Sequence, residues 1–192
     1  MTKSHDTREG WLRDALGQLD ATFFRERGYT LPEKIQVSCG FPKGHATAIG
    51  QCFDPEVAAD GAVHIFICPT QAEPIRILDI LLHELIHAAV GIKEGHKGLF
   101  RKLAKEFGLA GKMTSTYAEA GSELHKTLEV MAGRLGAYPH APMRKPRKQK
   151  GGSGWIRLKS PENERYTVVI SPKALDEHGF PMDPWGNEME PV

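Results

Sequence analysis

The feature that most constrains the fold is an apolar run that begins near Ile75 and closes on His83-Glu84-Leu85-Ile86-His87. Leu78, Leu81, Leu85 and Ala88 recur at helical spacing with Leu82 and Ile86 beside them, and a helix apolar over most of its circumference has to be buried. Pro74 at a tolerated first-turn position and Gly91 as a stop bound it. The core must therefore form around a helix that carries two histidines. A helix advances about 100° per residue, so His83 and His87, four apart, project from one face. Buried imidazoles need partners, and one metal ion shared by both rings is such a partner. Glu84, one residue round, is placed to reach a water at that ion rather than the ion itself.

This is the H-E-x-x-H arrangement of zinc metallopeptidases, two ligands and a general base on one turn. A catalytic zinc takes three protein ligands and leaves one position open. His96, nine residues after His87 and just past Gly95, is the favoured third ligand, with Glu94, Glu119 and Glu123 as the alternatives. Tyr117 and His125 have the chemistry of a second electrophile, but no spacing places either at the site. His64 reads as a core or surface histidine rather than a ligand.

The remaining sequence suits one ordinary domain with a small appendage. The 192 residues carry a formal net charge of +1, so global electrostatics select no polyanionic partner. No apolar run approaches membrane-spanning length, and Met1-Thr2-Lys3-Ser4-His5-Asp6 lacks a signal-peptide core. Cys39, Cys52 and Cys68 form no C-x-x-C pair and read as reduced thiols. The expectation is a cytoplasmic protein.

Along the chain, Leu12, Leu16, Leu19 and Phe23 mark an amphipathic helix between about Thr7 and Arg27, stopped by Gly28. Ile35–Ser38 and Ala48–Phe53 read as short strands around a turn at Phe41-Pro42-Lys43-Gly44. Val63–Cys68 is the strongest strand signal, and analogy with zinc peptidases places it beside the metal helix as the strand that pairs with an extended substrate. His96 opens a helix carrying Leu99, Phe100, Leu103 and Phe107, and another is expected from about Ser122 to Leu135. Beyond Tyr138 the composition shifts. Arg144-Lys145-Pro146-Arg147-Lys148-Gln149-Lys150 holds five basic residues in seven and runs into Gly151-Gly152-Ser153-Gly154, a basic, flexible linker. Trp155–Leu158 and Tyr166–Ile170 read as strands, and Pro172 to Val192 as turn-rich.

His83-Glu84-Leu85-Ile86-His87-Ala88 followed by Gly95-His96-Lys97-Gly98-Leu99-Phe100 resembles the SprT-like zinc metallopeptidases, the family of the Spartan-type DNA–protein crosslink proteases. The short spacing between the second and third histidines is similar to that of the small bacterial and phage members. The resemblance implies His96 as third ligand and an α+β, zincin-like domain with a small sheet against the metal helix. Ile49–Cys52 and Ile65–Ile67 look like the strands that precede that helix. Many members end in a zinc ribbon with two Cys-x-x-Cys knuckles. Here the matching positions are Ser160/Asn163 and Met182/Trp185, none a thiolate, which rules out a tetrahedral structural zinc there. The tail reads as a metal-free relic of a ribbon, with Trp185 filling the space of the ion.

The expected organisation is a metallopeptidase domain over 1–143, a linker over 144–154 and a cysteine-free ribbon-like tail over 155–192. The expected function is zinc-dependent hydrolysis of peptide bonds, with Glu84 as base and His83, His87 and His96 as ligands. By resemblance, the substrates include DNA-associated proteins, with the 144–150 run as the DNA contact. The competing reading is a non-catalytic, zinc-stabilised binding module.

Overall fold

A computed structural model describes residues 4–42, 48–144 and 154–192. The chain divides into two compact units, residues 1–145 and 146–192. The expected linker lies, apart from Arg144 and Gly154, outside the described residues, as do Lys43 and Gly44 of the expected turn.

In the first unit, Thr7 caps helix α1 (Arg8–Leu19) by accepting from the Gly10 N–H at 3.1 Å. The helix loosens into a π turn over Asp20–Phe24 and a 3-10 turn over Arg25–Arg27. Strands β1 (Ile35–Cys39), β2 (Gly50–Phe53) and β3 (Val63–Ile67) follow, then helix α2 (Pro74–Val90). A 3-10 turn over Ile92–Glu94 leads to helix α3 (Gly98–Glu106), the hairpin β4 (Leu109–Lys112) and β5 (Ser115–Ala118), and helix α4 (Glu123–Leu135).

The core wraps α2, whose residues from Ile77 to Ala88 are all buried, as its nearly continuous apolar surface requires. Trp11, Leu12, Phe24, Phe100, Leu103 and Leu128 pack around it from α1, α3, α4 and the π turn. Strand β3 supplies the sheet side of this core through Val63, Ile65 and Ile67, the alternate positions of one face.

The sheet order is β1-β3-β2, with β3 parallel to β1 and antiparallel to β2. This corrects the expectation for Val63–Cys68. Both edges of β3 are already paired, so it cannot receive a substrate strand. The available edge beside α2 belongs to β2. The hairpin β4–β5 had no counterpart in the sequence reading.

The second unit contains β6 (Ile156–Lys159), β7 (Thr167–Ile170), helix α5 (Pro172–His178) and the short β8 (Glu190–Pro191). Its sheet order is β7-β6-β8, antiparallel throughout. Helix α5 stands where turns were expected, capped by Ser171, whose Oγ accepts from the Ala174 N–H at 3.1 Å.

Ser160 does occupy the centre of the tail, though not with the partners expected. Its fully buried Oγ accepts from the N–H groups of Glu162 and Asn163 and donates to Asp183 Oδ2 at 2.5 Å. Asp183 in turn accepts from the backbone N–H groups of Trp185 and Asn187. A hydrogen-bonded serine–aspartate pair thus joins the two turns. Trp185 is 54% exposed and fills no interior space.

Candidate metal centre

Helix α2 delivers His83 and His87 to one face, both buried. His96 arrives from the connection after α2, whose geometry is fixed at its end by Glu94. That carboxylate accepts from the Leu99 N–H at 2.7 Å and so caps α3. Gly98 takes φ +39°, a left-handed conformation that a side chain would strain, and a Cβ there would push the Glu94 carboxylate aside. Glu94 is therefore committed to holding the loop rather than to the histidine cluster.

The three rings converge through one kind of atom. His96 Nε2 lies 3.2 Å from His83 Nε2 and 3.2 Å from His87 Nε2. The ligand atoms of the trio all lie within 4.8 Å of one another, and it is the one such group of histidine, cysteine or carboxylate residues among the described residues. Phe100 backs the cluster, stacked on His87 at 4.3 Å and edge-on to His83 and His96 at 4.9 and 5.0 Å.

Burial keeps these imidazoles neutral. Desolvation, then the neighbouring rings, pushes His83 down to about 3 and His87 to about 4. Desolvation also lowers His96. Neutral imidazoles that point lone pairs at a common centre repel one another, and a cation at that centre converts the repulsion into coordination. The donor set fits a borderline metal ion that takes nitrogen ligands. The group could hold such an ion.

Glu84 faces the same space from under β2. Burial raises its carboxyl to about 8, partly offset by a hydrogen bond from the Cys52 backbone N–H. Gly50 is required here by contact: a Cβ would stand 2.5 Å from Glu84 Oε1 and 2.7 Å from Ile80 Cγ2. The Cys52 thiol also borders this space. Desolvation first, then Glu84, lifts it to about 12, which leaves it protonated and poorly nucleophilic.

A cavity of about 760 Å³ opens over these groups, with Ile49 and, from β2, Gly50 and Cys52 on one side and Thr114, Ser115 and Thr116 on the other. All four sequence-selected residues, His83, Glu84, His87 and His96, line it. The alternatives are elsewhere. Glu119 is exposed, and Glu123 is exposed and bonded to Lys126 at 2.7 Å. Tyr117 is 44% exposed, and His125 lies 3.7 Å from Glu129; neither lines the cavity. His64 faces Asp60 at 3.5 Å.

Sequence reasoning missed Thr116, whose Oγ1 lies 2.8 Å from His83 Nδ1, and the pair Arg76 and Asp79 behind it. A signal for Asp79 did exist: a carboxylate inside an otherwise apolar helical run must find partners. No protein-family model, curated protein or solved structure matches the chain.

Proposed function

We propose that the chain is a zinc-dependent peptidase of the SprT-like kind, with His83, His87 and His96 as ligands and Glu84 as general base. The observation that carries this reading is the convergence of three neutral imidazole Nε2 atoms beside a buried carboxyl on the wall of one open cavity. Zinc on those nitrogens would supply Lewis acidity toward a water and a carbonyl. Glu84 takes the proton of the water that attacks the scissile carbonyl, then delivers it to the leaving amine as the C–N bond breaks.

The substrate would lie along β2. The Ile49 carbonyl accepts from the Cys68 N–H at 2.8 Å, and antiparallel pairing alternates inward and outward groups. The backbone groups of Gly50 and Cys52 therefore face away from β3; the Cys52 N–H bonds Glu84, so an added strand would pair with the Gly50 groups and the Cys52 carbonyl. An extended peptide added to that edge would be held by main-chain hydrogen bonds with its carbonyl near the histidines. Proteins bound to DNA are the proposed substrates, the basic run from Arg144 to Lys150 supplying phosphate contacts. Free thiols at Cys39, Cys52 and Cys68 fit a reducing, cytoplasmic setting.

The test is zinc stoichiometry together with cleavage of casein and of a DNA-bound protein, with and without single-stranded DNA, for wild type and Glu84→Gln. One zinc per chain in both proteins is expected, with hydrolysis reduced about 10²–10⁴-fold in the variant. Undiminished activity of Glu84→Gln defeats the base assignment. Bound zinc with no cleavage under any condition favours the non-catalytic module, and failure to bind zinc removes both readings. Binding to DNA should weaken steeply with salt; salt-independent binding removes the phosphate contact.

A further inference from the structure

Strand β5 has β4 on one side, and side chains of α2 rather than another strand occupy its remaining edge. Arg76 Nη1 donates to the Thr116 carbonyl at 3.1 Å, and Asp79 Oδ2 accepts from the Ala118 N–H at 3.1 Å. The two side chains are themselves paired, Arg76 Nη1 to Asp79 Oδ1, at 2.6 Å. Residues i and i+2 of a strand present their backbone groups to the same edge. Arg76 and Asp79, one helical turn apart, supply the donor and acceptor that a neighbouring strand would bring. The hairpin is thereby fixed to the helix that carries His83 and His87.

Between these two anchor points Thr116 is buried, and its Oγ1 meets His83 Nδ1 at 2.8 Å. The Nε2 of the same ring points at His96. An imidazole that offers Nε2 as a lone pair must carry its proton on Nδ1, and the proton there needs an acceptor. Thr116 Oγ1 stands at the distance and position of that acceptor. His87 differs: its Nδ1 is buried without a hydrogen-bond partner among the described residues, and its ring stacks on Phe100. His83 is thus the histidine whose orientation is set by a hydrogen bond.

We propose that Thr116, held in place by the Arg76–Asp79 pair, is a positioning residue that fixes the ring and tautomer of His83 for metal binding. This rests on the metal-site reading above. Losing the acceptor would free the ring to rotate and leave a buried N–H unpaired, weakening the site without removing a ligand.

The experiment measures zinc affinity of the full chain by competition with a chromophoric chelator, for wild type, Thr116→Val and Thr116→Ser. Valine keeps the shape and removes the hydroxyl; serine keeps the hydroxyl. Thr116→Val is expected to bind zinc about 10–100-fold more weakly, and Thr116→Ser to recover most of the loss. Nitrogen-15 shifts of the histidine rings in the metal-free wild type give an independent reading, expected to show His83 protonated at Nδ1. Equal affinity of wild type and Thr116→Val overturns the assignment, as does a wild-type His83 protonated at Nε2, whether or not the variants fold. A wild type that binds no zinc removes the metal reading itself, an outcome distinct from equal affinity in the two proteins.

Discussion

Glu84 is buried beneath β2 with its pKa raised from 4.5 to about 8, which makes stability depend on pH in a definite direction. A group whose folded pKa exceeds its unfolded value contributes most below the unfolded value, and that contribution is lost as pH rises through the folded one. His83, His87 and His96, all lowered from 6.5, have the opposite sign, and because the unfolded imidazoles are half protonated at pH 6.5 they go on contributing up to about pH 7.5. Asp79, raised by burial to about 6 against the pull of Arg76, has finished its change by that pH. The difference between wild type and Glu84→Gln from pH 6.5 to 8, in which the histidine contributions cancel, isolates Glu84. Relative to the variant, metal-free wild type is expected to lose about 1–2 kcal/mol across that interval, near the limiting slope of about 1.4 kcal/mol per pH unit. Urea unfolding of both proteins at the two pH values measures the difference. Equal slopes in the two proteins would assign the titration elsewhere. Gly50 supplies a second residue-scale test, because a methyl group there would overlap Glu84 and Ile80. Gly50→Ala should cost about 1–3 kcal/mol by overpacking. It should leave zinc bound while lowering peptide hydrolysis by about a hundredfold through displacement of the base; a variant of normal activity would show that Glu84 does not need that space.

Among the elements, the tail makes the clearest case for what a hydrogen bond can hold in place. Ser160 and Asp183 join two turns through five bonds, one between their side chains and four from backbone N–H groups. Ser160→Ala removes the bridging donor and the acceptor of one turn, and the melting temperature of the tail should drop by about 5 °C or more. Asp183→Asn should act in the same direction, and a chelator should have no effect on either. Thermal melts followed by Trp155 and Trp185 fluorescence would show this; a chelator-sensitive tail would contradict a clasp made by side chains alone. This contact also marks a boundary of what the sequence could tell. Local signals were readable: the 3.6-residue periodicity of α2, the alternation of β3, the glycine stops and the inward histidine pair all follow from neighbours along the chain. Contacts between distant residues were not. Ser160 and Asp183 lie 23 apart; Ser160 reads along the chain only as a failed metal ligand beside Asn163, and Asp183, between the positions Met182 and Trp185, carries no signal of its own. Thr116 stands 33 residues from His83, in a hairpin of small and polar residues with little alternation. The edge position of β2 depends on a parallel pairing of β1 with β3 that no local pattern encodes. The candidate site was legible because its three histidines lie within fourteen residues, from His83 to His96; Thr116, which meets His83, comes from elsewhere.

For the whole molecule, the candidate ligands all fall within the unit spanning residues 1–145. The beginning and end of that unit are tied together independently of the histidines. Buried Arg8 donates to the carbonyls of Pro139 at 3.1 Å and Ala141 at 2.6 Å, and Trp11 Nε1 donates to the Gly136 carbonyl at 3.0 Å. The domain therefore has closure and a core without an ion, and zinc should add stability rather than create the fold. A ligand that binds only the native state at 100 times its dissociation constant stabilises by about 2.7 kcal/mol, which for a domain of this size raises its transition by roughly 5–10 °C. Calorimetric scans with zinc and then with excess chelator should move the transition of the first unit reversibly by that amount and leave the transition of the tail in place. A metal-free chain with no cooperative transition would mean that the ion is part of the fold, as in a structural zinc module. Movement of both transitions together would mean that the tail senses occupancy of the site. A shift confined to the first unit is the outcome required if the proposed ligands His83, His87 and His96 and the proposed positioning residue Thr116 all act from within that one unit.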